Sequence, residues 1–184
     1  MKNKIILSCL LAIGLSGCTA EFLEITPETN LVSVTFFKTE ADFTQAVNAC
    51  YVPLRTIYND RSYLLSEMHS DNTYYFRNTA FGATEQQEDL ADFSIPVSNN
   101  LTTNTHVLNQ YRQDYLIIAR ANQILALIDK ADFDAAAKAN LKGQAQFMRA
   151  FAYFEIYRYF NKGPLQLTPV ANREQAAAKL GTAD

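Results

Sequence analysis

The sequence predicts an all-α protein built from antiparallel helix pairs. Apolar residues recur at steps of three and four over three long stretches, 39–58, 105–130 and 134–160, the spacing of one face of a helix. No alternating apolar–polar run extends beyond a few residues, so no sheet is indicated. The second and third stretches are joined by a short polar connection, which sets successive helices antiparallel.

The chain opens as a precursor. Lys2 and Lys4 precede an apolar run, Ile5 to Leu15, broken only by Ser8, Cys9 and Gly14. That run is too short to cross a bilayer, so it is read as a signal peptide. Leu15-Ser16-Gly17-Cys18 follows and resembles the bacterial lipobox, in which the Cys thiolate takes a thioether-linked lipid. The alternative is an ordinary secretory signal with a chance Cys. Stable anchoring needs more than one acyl chain, and a diacylated, N-acylated Cys18 meets that condition. The expected organisation is a signal peptide over 1–17, a lipidated tether and extended lead-in over 18–35, and a helical domain over 36–184.

Cysteine and charge narrow the rest. Cys9 leaves with the signal and Cys18 carries lipid, so Cys50 has no intramolecular disulfide partner. It lies in an apolar helical pattern and is expected to be a buried, inert thiol. Loss of Lys2 and Lys4 leaves 14 basic against 19 acidic residues, a net charge of −5. That balance argues against nucleic acid as a partner, and no basic patch suggests anionic lipid heads.

The elements follow in order. Pro27 excludes helix from the lead-in. Thr39 is a good N-cap with Asp42 three residues on, a variant of the capping box. Phe43, Ala46, Val47, Cys50, Tyr51, Leu54, Ile57 and Tyr58 form the apolar face of the first helix, which Pro53 should kink. A short helix is placed over 62–68, then a turn at Ser70-Asp71-Asn72. From 73 to 103 no period is legible; a loop this long in a compact domain is usually functional or disordered. Its aromatics (Tyr74, Tyr75, Phe76, Phe81, Phe93) argue against plain disorder.

The helix over 105–130 points Asn122 inward with its apolar residues. A buried amide must be hydrogen-bonded, so Asn122 is expected to fix a neighbouring loop or helix end. The helix over 134–160 is apolar around much of its circumference, through Leu141, Ala145, Met148, Phe151, Ala152, Phe154, Ile156, Tyr157 and Phe160. Such a helix is expected to be central and covered. Gly143 within it suggests close packing, and Arg149 a buried structural partner. Asn161-Lys162-Gly163-Pro164 is a stop signal. An extended run over 165–170 and a further helix from Asn172 to Leu180 follow.

Sugar binding needs flat aromatic faces for the apolar side of a pyranose, with amides and carboxylates for its hydroxyls. The chain has no Trp. Asp71, Asn72, Tyr74, Tyr75, Arg77 and Asn78 are the one dense cluster of suitable types in a loop; the competing reading has the aromatics covering helix ends and the polar groups solvated. Glu85, Glu88, Asp89 and Asp92 read as a solvated acidic face rather than a carboxylate pair for hydrolysis. Glu67, His69 and Asp71 lack the helical His spacing of a zinc site. No phosphate loop or nucleophile elbow is present. No enzyme activity, cofactor or metal is expected. Apart from capture, helix pairs alone allow a lipidated scaffold for protein assembly.

Several blocks resemble the SusD/RagB family. They are Phe22-Leu23-Glu24-Ile25-Thr26-Pro27-Glu28-Thr29, Phe36-Phe37-Lys38-Thr39-Glu40, Ala49-Cys50-Tyr51-Val52-Pro53-Leu54-Arg55, Glu67-Met68-His69-Ser70-Asp71-Asn72, Ala119-Arg120-Ala121-Asn122 and Ala145-Gln146-Phe147-Met148-Arg149-Ala150-Phe151-Ala152-Tyr153-Phe154. They occur in family order across nearly the whole mature chain. The resemblance implies an all-α fold of tetratricopeptide-like helix pairs with long irregular loops. It implies a surface lipoprotein of the outer membrane that captures glycans, or peptides in the RagB-type branch, for a SusC-like TonB-dependent transporter, without a catalytic centre. Three departures stand out. Gln144 replaces the usual Glu, Lys162-Gly163 replaces the usual Gly-Asp, and members are more than twice this length, so the chain resembles their N-terminal portion. With few aromatic faces, it is expected not to bind glycan tightly by itself.

Overall fold

The computed structural model describes residues 36–170, except 61, 76, 79, 81–84, 96, 99, 100 and 103. The chain divides into Met1–Phe36 and Phe37–Asp184, and the described residues fall, but for Phe36, in the second. Cys18, the lead-in and the expected helix from Asn172 to Leu180 lie outside the described residues, as do Phe76 and Phe81.

Helix α1 spans Glu40–Asp60. Its start is the expected capping box. The Thr39 N–H donates to Asp42 Oδ2 (2.7 Å) and the Asp42 N–H donates to Thr39 Oγ1 (3.3 Å), so two orphan donors are satisfied reciprocally. Pro53 lies inside the helix and supplies no N–H for the carbonyl four residues back. That carbonyl, Ala49 O, accepts instead from Arg120 Nη1 of another helix at 2.5 Å. The defect left by Pro53 thus becomes a tie between helices.

Helix α2 spans Ser62–Ser66 and α3 spans Glu85–Ala91. The sequence pattern gives no sign of α3, since Leu90 is its one fully buried side chain among those described. A small antiparallel pair follows, β1 (Val97–Ser98) with β2 (Leu101–Thr102), Val97 opposite Thr102. These four residues leave the protein all-α in class.

Helix α4 spans Thr105–Leu127 and passes into a 3-10 turn, Ile128–Lys130. Its cap, Asn104, accepts from the N–H groups of His106 (3.1 Å) and Val107 (3.4 Å). The same Asn donates to Gln86 O (2.7 Å), and the Thr105 N–H donates to Gln86 Oε1 (2.8 Å). The short α3 is thereby fixed on the start of α4. Helix α5 spans Ala135–Phe160, capped by Asp134 Oδ1, which accepts from the Ala137 N–H at 2.8 Å.

Helices α4 and α5 form the expected antiparallel pair. Asp129 meets Lys142 (2.7 Å) at one end and Asn122 meets Arg149 (2.9 Å) in the middle. The residue numbers rise on one helix as they fall on the other. Helix α1 lies on both, through Ala49 to α4 and through Tyr51, whose hydroxyl donates to Gln144 Oε1 of α5 at 3.4 Å. Gln144 thus supplies hydrogen bonds where the resemblance expects an acid.

The core gathers Phe43, Val47, Cys50 and Ile57 of α1 with Ile117, Ile118, Ala121 and Ile124 of α4 and Leu141, Ala145, Met148, Ala152 and Ile156 of α5. Cys50 is fully buried and burial pushes its thiol up to about 11, so it stays protonated and inert. A second, smaller cluster holds Leu64, Leu65 and Leu90.

Several sequence expectations are corrected. Tyr51 and Tyr58 stand at the solvent edge of α1, 37% and 52% exposed, because the core face is narrower than the apolar pattern. Helix α5 is covered on one side only. Phe151 is half-buried, and Phe154 and Tyr157 are 57% and 53% exposed. Gly143 meets nothing within 4 Å of an added Cβ, so it is not a close-packing glycine. That role belongs to Gly163, where a Cβ would stand 2.6 Å from Ile156 Cγ2 and 2.8 Å from the Tyr115 hydroxyl. The positive φ that ends α5 is taken by Asn161 (61°).

Candidate functional site

The loop cluster singled out in the sequence sits between α2 and α3. Its turn is fixed by Glu67 O, which accepts from the hydroxyls of Ser70 (2.7 Å) and Thr73. The Asn72 N–H donates to Ser70 Oγ at 3.3 Å. Beyond the turn the cluster divides. Tyr75 is half-buried and its hydroxyl donates to Gln87 Oε1 of α3, while Arg77 pairs with Glu88 of α3 at 3.3 Å. Both are thus tied to the helix the sequence did not reveal. Asp71, Asn72, Tyr74 and Asn78 face solvent. Asn78 Oδ1 accepts from the Ala80 N–H (3.0 Å), and Tyr74 is 72% exposed.

Phe93, read only as one loop aromatic, gains weight from its backbone. It ends α3 at φ 55°, where the Ser94 N–H returns to Asp89 O at 2.9 Å. Glycine is the usual residue in such a stop, and a bulky side chain there costs about 1–2 kcal/mol. Phe93 is nevertheless 65% exposed, with its ring 4.1 Å from that of His69. A strained residue showing an aromatic face to solvent marks a functional candidate. His69 is accordingly placed against Phe93. Among the described residues, no group of three or more His, Cys, Asp or Glu could hold a metal ion.

A second concave feature, of about 480 Å³, lies between α4 and the extended run 164–170. Its walls include Tyr111, Tyr115, Ile118, Pro164 and Val170. The polar groups along it serve the chain itself. Asn122, 2% exposed, donates to Gln166 O (2.9 Å) and Thr168 O (3.4 Å), and its Oδ1 accepts from Arg149. Arg149 also donates to Leu167 O (3.2 Å), and the Tyr115 and Tyr153 hydroxyls donate to Pro164 O and Gln166 O, each at 2.7 Å. Asn122 and Arg149 are therefore clamps on the extended run.

The sequence pattern missed a set of buried polar groups between α4 and α5. Gln110 and Asp114 are fully buried and Glu155 is 2% exposed. Gln110 Nε2 donates to both Asp114 oxygens, at 3.2 and 3.1 Å. Burial pushes the Asp114 carboxyl up to about 7, and the negative Glu155 adds to the effect. Glu155, also raised by burial, is held by Arg158 at 2.8 Å. Two carboxyls and one guanidinium thus occupy this interface.

The comparisons with known proteins agree with one another. A family model described as starch-binding and associating with the outer membrane matches residues 21–183. A SusD-like protein, P38, of Formosa agariphila is 28% identical over 158 residues, covering 85% of this chain and 29% of that protein. A SusD-like protein of Bacteroides ovatus is 24% identical over 175 residues, 91% of this chain and 29% of that protein. A solved structure, a laminarin-binding SusD-like protein, superposes with a TM-score of 0.61 at 18% identity, covering 76% of this chain and 29% of that one. That likeness is one of fold. The chain spans about three-tenths of the length of the curated relatives it matches.

Proposed function

This chain belongs to the SusD-like family, and on that premise we propose that it serves glycan capture at the outer membrane. The observation that carries the reading is the family match across residues 21–183, whose description is starch binding at that membrane. In this reading the protein is anchored through a lipid on Cys18, faces the cell surface, and passes oligosaccharides to a SusC-like TonB-dependent transporter. It binds without catalysis.

The α2–α3 loop supports a sugar-contacting role for this chain. Tyr74 of that loop and Phe93 just after α3 offer exposed aromatic faces, and Asp71, Asn72 and Asn78 of the loop are exposed groups of the kind that match hydroxyls. Sugar affinity comes from several such faces on a rigid site acting together. Two faces should give weak binding, in the millimolar range or about −4 kcal/mol. Titration of laminarin and malto-oligosaccharides, with a peptide mixture alongside, tests this. Saturable sugar binding lost in both Tyr74→Ala and Phe93→Gly supports the reading. Binding confined to peptides moves the chain to the peptide-capturing branch. Sugar binding indifferent to both substitutions removes the loop from the site.

A further inference from the structure

Three consecutive residues of α3, Gln86, Gln87 and Glu88, are half-buried and reach in different directions. Successive helix positions point about 100° apart, so one turn addresses several neighbours. Gln86 turns to α4. Its Oε1 accepts from the Thr105 N–H (2.8 Å) and the Thr105 hydroxyl (2.6 Å), and its carbonyl accepts from Asn104 Nδ2 (2.7 Å). Gln87 turns to the loop, where its Oε1 accepts from the Tyr75 hydroxyl. Glu88 meets Arg77 of the same loop at 3.3 Å. Leu90, fully buried, seats the helix against Leu64 and Leu65 of α2.

The loop is thereby pinned on both sides of Tyr74. The Thr73 hydroxyl before it donates to Glu67 O, and the Tyr75 hydroxyl after it donates to Gln87. The exposed ring of Tyr74 is displayed from between these two anchors. Phe93, the other exposed ring, stands two residues past the end of the same α3. What fixes α3 on α4 therefore fixes the placement of both rings. The Arg77–Glu88 pair adds little to this, since the Arg77 side chain is 44% exposed and exposed ion pairs are weak. Gln86 is better placed, because its partner Asn104 is a buried cap of α4.

A site of two rings depends on their being held before the ligand arrives, because ordering them on binding subtracts from a small affinity. Taking the loop as the sugar-contacting site proposed above, we propose that Gln86 and Gln87 are its positioning residues. Neither touches the sugar. Gln86 holds α3 in register with the start of α4, and Gln87 carries that register through Tyr75 to Tyr74. At Gln86 the side-chain oxygen makes the contacts, so glutamate preserves them and also sets a negative charge at the start of α4, where it is favoured. Asparagine, one methylene shorter, does not reach.

NMR titration of laminarin and malto-oligosaccharides into the full chain tests this, with thermal melts to establish that each variant is folded. Gln86→Ala and Gln87→Ala should each weaken sugar binding about fivefold, the worth of one hydrogen bond. Gln86→Glu should bind as the wild type does, and Gln86→Asn should behave as Gln86→Ala. Tyr75→Phe should match Gln87→Ala, and the double variant should be no weaker than either. Tyr75→Phe removes a single oxygen and keeps the test available where a Gln variant does not fold. Without sugar, amide exchange over 71–75 should quicken in Gln86→Ala. A folded Gln86→Ala, Gln87→Ala or Tyr75→Phe with wild-type affinity overturns the proposal and leaves the sugar site standing, as does a Gln86→Glu that binds no better than Gln86→Ala. A wild-type chain that binds neither sugar overturns the sugar site and the positioning role together.

Discussion

Replacing Asp114 by Asn should stabilise the protein, and only at neutral and alkaline pH. Asp114 is fully buried, and its carboxyl sits at about 7 in the fold against an ordinary value of 3.8. A carboxyl raised on folding binds its proton more tightly in the folded chain. Its contribution to stability is therefore fully present below about pH 4 and is lost as pH rises through about 7. The shift from 3.8 to about 7 corresponds to about 4 kcal/mol once pH exceeds both values. Glu155 is raised by burial and changes stability in the same direction. Asn keeps an acceptor for Gln110 Nε2 and cannot ionise. Urea denaturation between pH 5 and pH 8.5 should show the wild type losing stability as pH rises. Asp114→Asn should be flatter and more stable by about 3 kcal/mol at the alkaline end. Equal destabilisation of the variant at both ends would refute the reasoning, since it would mean that the carboxyl is chiefly a hydrogen-bonding partner and not a confined charge.

The two glycines at α5 should respond with opposite signs. Gly143→Ala should raise stability by about 1 kcal/mol, because a helix-interior Gly is replaced where space is open. Gly163→Ala should lower it by about 1–3 kcal/mol, because the new methyl meets Ile156 and Tyr115; thermal melts separate the two. Asn122→Ala leaves Arg149 and the carbonyls of Gln166 and Thr168 without a partner they now have. It should cost about 2–3 kcal/mol, with faster hydrogen exchange concentrated in 164–170. Cys18→Ala should release the protein from membranes, and a variant that still sediments after a carbonate wash would place the anchor elsewhere.

The three long helices were legible because each signal is local. Thr39 and Asp42 cap α1, Asp134 caps α5, and Asn161 to Pro164 stop it. Helix α3 was not legible, because seven residues around one buried Leu carry no period. The candidate site was legible in its residue types, but its division was not. Only the appearance of Gln87 and Glu88 on a helix shows that Tyr75 and Arg77 are held while Tyr74 is displayed. Phe93 could have been found only from its backbone angle, which nothing in its neighbouring letters announces.

By itself the sequence determined the helical class, the antiparallel α4–α5 pair, the buried thiol of Cys50 and the family. Each depends on spacing, capping or residue order along one stretch of chain. The tertiary structure alone decided which side of α5 is covered, that Gly163 rather than Gly143 is sterically required, and that Asp114 and Glu155 lie inside. The physical reason is that a helix apolar over much of its circumference has no single preferred face until neighbours are placed. A charged residue likewise counts as surface until a second helix is laid over it.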